Sequence, residues 1–299
     1  MVLHTKVNKG ESEMLKNQYF GVEVEFTGIS RQDAAKVIAQ HFGTIASAPA
    51  YDGYKTITIP DSYGRNWKVM RDASICPQPA VDSYKCELVT PKLKYEDIET
   101  LQEIIRKLRQ AGAKSNSSCG VHVHVDASNH DETSLRKLIY YMREKQDLIY
   151  DALAVSPERA ARWCKKLDAD FLADIKKIGI KEAKLDDIEK AWYKKDPYKS
   201  NHYNQTRYHG LNLHNVWYRG TVEFRLFNGT MHAGEIRAYV CLCLAISARA
   251  LQKTGTMIYA KKYDGIECKK HFDNHMKNVL GLNGKEFENV RMHLTKHLS

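Results

Sequence analysis

The chain has 299 residues, 43% of them hydrophobic and 27% charged, with a formal net charge of +10. This composition excludes a disordered chain, and the length allows one or two domains with a core that needs neither disulfides nor a structural metal. The basic excess points to an anionic partner without choosing among nucleic acid, a membrane surface, nucleotide phosphates and an acidic small molecule.

Residues 1–18 are polar, carry no apolar stretch of the secretory kind, and are predicted to be a flexible segment. Tyr19 to Thr27 alternates strictly, with Phe20, Val22, Val24 and Phe26 on one face and Glu23 and Glu25 on the other, which predicts a strand with one buried face. Ser30 with Asp33 three residues on predicts the start of a helix that runs to about Phe42 and stops at Gly43. Tyr54–Ile59 and Asn66–Asp72 read as two strands of a hairpin across Pro60–Arg65. Tyr84–Thr90 is a further strand, stopped by Pro91. Tyr95–Ala111 is an amphipathic helix with Ile98, Leu101, Ile104, Ile105 and Leu108 on one stripe and Gly112 at its end.

Cys119–Ala127 alternates again, with His122, His124 and Asp126 opposite three valines. Helices are expected over Glu132–Ala154 and Pro157–Leu167. The Lys-rich stretch 165–200 reads as a solvated helical insertion, assigned with its lead-in to about 156–200. Arg207–Asn215 and Thr221–Asn228 are expected as strands joined by a turn at Arg219-Gly220. Glu235–Leu251 is an apolar helix, and 253–299 is predicted as a helical extension. The longest apolar run, Ala238 to Ile246, falls far short of the roughly 20 residues that cross a bilayer. Seven cysteines with no CxxC spacing fit reduced thiols in a cytoplasmic protein and speak against structural zinc. The expected fold class is α+β, a mainly antiparallel sheet with helices on one side, its catalytic domain spanning 19–252.

Chemistry concentrates on the strands. Glu23/Glu25, His122/His124 and Glu223/Arg225 are polar pairs at spacing two, each pair on one strand face about 6.5–7 Å apart. Glu87 adds a carboxylate on its own strand. Each pair alone is commoner as a solvated face or a cross-strand ion pair. Together on one sheet they would repel, because like charges on a face are unfavourable and burial raises carboxylate pKa. A divalent cation removes that conflict, and an oxygen-rich set with few histidines suits Mg²⁺ or Mn²⁺ better than zinc. Such ions bridge to substrate phosphates, where Arg225 would stabilise transferring oxygens. There is no Walker-type GxxxxGK[ST]. Asp72 alone reads as a turn residue, and Cys119 as a small packing residue.

The ordered set GVEVEF (Gly21–Phe26), DAS (Asp72–Ser74), ELVTP (Glu87–Pro91), CGVHVHVD (Cys119–Asp126), RYHGLNLHN (Arg207–Asn215) and TVEFRLFNGT (Thr221–Thr230) resembles the amidoligase family. That family is similar to the glutamine synthetase and glutamate–cysteine ligase superfamily of carboxylate–amine ligases. The resemblance spans about 19–250. It implies a curved antiparallel sheet of glutamine synthetase catalytic-domain type with helices on the convex face, binding ATP and Mg²⁺ (or Mn²⁺). It implies that ATP phosphorylates a carboxylate and that an amine then displaces phosphate. It implies metal ligation by Glu23, Glu25, Glu87, His122 and Glu223, with His124 near the nucleotide phosphates and Arg225 on phosphate oxygens. Asp72 matches a substrate-side aspartate, although Ala73 stands where that motif has glycine. Arg207 and Asn212 are assigned to substrate or acyl-phosphate contact. The expected partners are a small-molecule or peptide carboxylate and an amine donor. The net charge adds an acidic or nucleic-acid substrate, and no membrane partner is expected. Three other readings stay open: a phosphagen-type kinase, a zinc hydrolase using His122/His124, and a non-catalytic nucleic-acid-binding protein.

Overall fold

The computed structural model describes residues 13–178, 184–194, 196, 201–252 and 268–299. The chain mixes helices with antiparallel strands and divides into two compact units. The first is built from residues 19–123 and 227–240, the second from the described residues of 1–18, 124–226 and 241–299.

In the first unit β1 (Phe20–Phe26), β2 (Ile57–Pro60), β3 (Asn66–Met70), β4 (Cys86–Val89) and the first half of β5 (Gly120–Asp126) lie in the order β2-β3-β4-β1-β5. β1 and β3 both pair antiparallel with β4, with Glu25 opposite Glu87, Glu23 opposite Val89 and Met70 opposite Glu87. The alternation predicted for β1 is realised: Phe20, Val22, Val24 and Phe26 are all buried. The hairpin turn before β3 closes on Asp61, whose Oδ1 accepts the backbone N–H groups of Tyr63 and Arg65, both at 2.9 Å. Helix α1 (Arg31–Phe42) starts where Ser30 Oγ accepts from Asp33 N–H and ends at Gly43 with φ 67°, as the capping pattern predicts. It packs on β2, β3 and helix α2 (Ile98–Gln110).

The second unit contains the rest of β5, then β7 (Thr221–Asn228) as far as Leu226 and the two-residue β6 (Leu211–Asn212), in the order β5-β7-β6. Its helices are α3 (Glu132–Ala152), α4 (Pro157–Arg162), α5 (Ala169–Lys177), α6 (Leu185–Tyr193) and α7 (His214–Arg219). The C-terminal part of α8 (Ala233–Leu251), α9 (Cys268–Asn278) and α10 (Glu288–Thr295) complete it. Residues 241–246 of α8 are buried all round, as a helix apolar on every face must be. No helix among the described residues is long and apolar enough to cross a membrane. All seven cysteines are free thiols.

Four expectations change. Leu15 is fully buried, and the Gln18 amide donates to the Leu244 carbonyl and accepts from Ser247, so 13–18 are docked where a flexible segment was expected. Residues 1–12 lie outside the described residues. The predicted helix from Pro157 ends at Arg162. The Lys-rich insertion is not only a solvated face: Phe171 and Ile175 of α5 and Ile188 and Trp192 of α6 are buried, with Phe171 edge-on to Trp192 at 5.1 Å. Of that insertion, 179–183, 195 and 197–200 lie outside the described residues. The strand expected over Arg207–Asn215 is reduced to β6, because the backbone turns helical at His214 and runs to the left-handed cap Gly220.

Packing in this second unit makes stability depend on pH. His130 is buried, with Nδ1 on Ser134 Oγ at 3.2 Å and Nε2 on Ser247 Oγ at 2.9 Å, and burial holds its pKa down at about 4. The unfolded chain takes up that proton near pH 6.5, which the folded protein resists. Stability is therefore complete above about pH 6.5 and falls by roughly 3 kcal/mol as pH drops toward 4. His275, pushed to about 3 by burial, adds to the loss in the same direction. Urea denaturation across that range should show the slope, and a His130→Asn variant should flatten it.

Candidate functional site

The first unit gathers acidic side chains around one imidazole. Antiparallel pairing of β1 with β4 puts Glu25 directly opposite Glu87, and both are buried. The Glu25 carboxylate is held by the Gly120 N–H, which donates to Oε2 at 2.6 Å. His122 on β5 places Nδ1 3.0 Å from Glu23 Oε2 and Nε2 3.8 Å from Glu25 Oε1, with its side chain only 4% exposed. Glu23, Glu87 and His122 each offer a ligand atom within 4.8 Å of the others, and so do Glu25, Asp72 and Glu87. Directly opposed carboxylates on a sheet are destabilising, more so when buried. A hard divalent cation fits this donor set, which supplies carboxylate oxygens and one imidazole nitrogen.

Asp72 reaches this group from a pinned turn. Its Oδ1 accepts both the backbone N–H and the hydroxyl of Ser74 at 2.6 Å, the turn role read from its sequence. Arg71 Nε donates to Asp82 at 2.7 Å, which holds the Asp82 carboxyl well below the usual carboxylate range. Lys85 Nζ donates to the Ala73 carbonyl at 2.9 Å. Cys119 is a packing residue: burial pushes its thiol pKa up, away from nucleophilic chemistry.

The second unit centres on Glu223, 1% exposed on β7. Arg225 Nη1 donates to its Oε1 at 2.6 Å, so the pair at spacing two is an ion pair along one strand face. Asn212 stands opposite Glu223 in the β6–β7 register and donates to its Oε2 at 2.5 Å. Asn215 donates to the same oxygen. His124 lies with Nε2 3.9 Å from Glu223 Oε1 and Nδ1 3.0 Å from Thr221 Oγ1. Asn215 was missed because a strand through 215 would put it and Asn212 on opposite faces. The helical start at His214 lets both amides reach one carboxylate. Among the described residues, Arg207 makes no hydrogen bond to this group. Its guanidinium lies over the Tyr203 and Tyr208 rings, 5.6 and 5.7 Å from their centroids, and donates to the His202 carbonyl at 3.1 Å.

With this geometry in place, comparison with known proteins decides the family. The family model described as "Putative amidoligase enzyme" matches residues 16–247, more than three quarters of the chain. The chain belongs to the amidoligase family. No curated protein is significantly similar to it in sequence. Among solved structures it is similar to a bifunctional glutathione synthetase from Pasteurella multocida. That match has 14% identity and a TM-score of 0.48, and covers 99% of this chain and 48% of that one. The amidoligase chain thus spans about half the length of that enzyme, and so distant a likeness carries no argument about its chemistry.

Proposed function

We propose that this amidoligase joins a carboxylate to an amine in two steps, using ATP and Mg²⁺ or Mn²⁺. The carboxylate is first phosphorylated to an acyl phosphate, and the amine then displaces phosphate. The observation that carries this reading is the buried face-to-face pair Glu25 and Glu87 with Glu23 and His122 beside them. That set of hard oxygen donors with one imidazole nitrogen suits a divalent cation. When bound there, the metal would neutralise triphosphate charge and align the phosphoryl group, which is most of what phosphoryl transfer needs.

The chain's own residues then have defined tasks. Glu23, Glu25 and Glu87 supply hard oxygen ligands, with Gly120 N–H fixing the Glu25 carboxylate. His122 supplies the nitrogen ligand and is oriented by Glu23. Arg225 is the phosphate-contacting cation, its guanidinium aimed by Glu223 through Nη1. Glu223 is in turn held by Asn212 and Asn215. Glu223 as a metal ligand, His124 near the nucleotide phosphates, and Asp72 and Arg207 toward the substrate belong to the same reading. So do the curved sheet of glutamine synthetase type with helices on its convex face, the 19–252 catalytic domain and its 253–299 extension. A cytoplasmic location accords with seven free thiols.

One observation counts against the zinc hydrolase. Among the described residues, no candidate set of three metal ligands contains both His122 and His124. A screen of paired acids and amines, measuring phosphate release with mass detection of the product, tests the proposal. Phosphate appearing only with ATP, divalent metal and a condensed amide supports it. A phosphorylated acid accumulating without amide indicates the kinase instead.

A further inference from the structure

Part of the positive charge lies outside the residues matched by the family model. Helices α9 and α10 of the second unit line an open cleft of about 740 Å³. Five cations face it: Lys269, Lys270, Lys277, Arg291 and Lys296. Two carboxylates, Asp273 and Glu288, do not balance them. Asp273 is already taken, bonding Arg291 Nε at 3.0 Å and pairing with Lys277. Arg291 is also structural, since its Nη1 donates to the Leu282 and Gly284 carbonyls. Lys269 and Lys270 are exposed and make no ion pair among the described residues. At the same cleft Met292 is 53% exposed, a flexible apolar side chain with nothing of its own to bury.

We infer that this cleft docks an acidic peptide segment carrying an apolar side chain. Charge complementarity selects an anion. The exposed methionine selects one that also brings a side chain to bury, because thioether surfaces adapt to varied apolar partners. Among the described residues the lining contains no aromatic ring, the platform on which single-stranded nucleic acids stack their bases. An extended peptide with carboxylates flanking a leucine or methionine uses every feature of the cleft. The inference stands on this surface alone and not on the proposed reaction.

The test uses the full chain and fluorescence anisotropy with a labelled dodecapeptide of glutamates bearing leucine at every third position. An all-glutamate peptide and oligothymidylate of equal length are run beside it. The leucine-bearing peptide should bind most tightly and weaken with salt. Lys269→Glu with Lys270→Glu should weaken it by about tenfold or more. Met292→Ser should weaken it several-fold while leaving the all-glutamate peptide unchanged. Both lysines and Met292 are exposed, so the fold is not at risk. No peptide binding, binding indifferent to these variants, or tighter binding of oligothymidylate lost in the lysine variant would each overturn the inference.

Discussion

Replacing Glu223 with alanine should destabilise the second unit by about 3–5 kcal/mol, the cost of deleting one partner of a buried ion pair. The carboxylate is 1% exposed and Arg225 7% exposed at the side chain, so water does not take over the missing contact. Asn212 and Asn215 lose their shared acceptor at the same time. Urea denaturation gives the figure directly. Glu223→Gln behaves differently. It keeps the shape and one acceptor oxygen for Arg225, so the fold survives with an unchanged far-ultraviolet spectrum while ATP-dependent turnover is lost. Arg225→Ala should lose turnover in the same way, because its guanidinium is the group assigned to phosphate oxygens. A Glu223→Gln protein with near-normal turnover would show that Glu223 is structural only.

Glu87→Gln should change stability and function in opposite directions. Removing one of two directly opposed carboxylates relieves repulsion, so the metal-free protein should gain about 1 kcal/mol at neutral pH. The same change removes a hard anionic ligand common to both ligand sets of the first unit. Turnover should fall at least about a hundredfold, and the thermal stabilisation conferred by Mn²⁺ on the wild type should shrink. Scanning calorimetry with and without Mn²⁺ separates the two effects. A variant that is less stable without metal would mean that Glu87 is held by favourable contacts and not by a cation's absence.

How much of this was legible in the sequence depends on the local pattern. β1 and β7 were readable because period-two alternation over seven or eight residues has one interpretation, and Glu23, Glu25, Glu223 and Arg225 came with it. The α1 boundaries were readable from Ser30 and Gly43, whose capping chemistry is local. The region from Arg207 to Asn215 was not. Its mixture of polar and apolar residues is compatible with a strand. The structure instead spends two residues on β6 and turns helical at His214, which is what brings Asn215 to Glu223. Docking of Gln18 was also hidden, because its partners Leu244 and Ser247 lie more than two hundred residues away. The opposition of Glu25 and Glu87 required a register between β1 and β4 that no local pattern specifies.

The central claim is that the carboxylate–imidazole cluster of the first unit holds a divalent cation used with ATP. Titration of the metal-free protein with Mn²⁺, followed by electron paramagnetic resonance, tests it most directly. Free Mn²⁺ signal should disappear as the wild type binds the ion, and should persist with Glu87→Gln and with His122→Ala at the same concentrations. Unchanged Mn²⁺ binding in both variants, or ATP turnover that survives complete chelation of divalent metal, would contradict it.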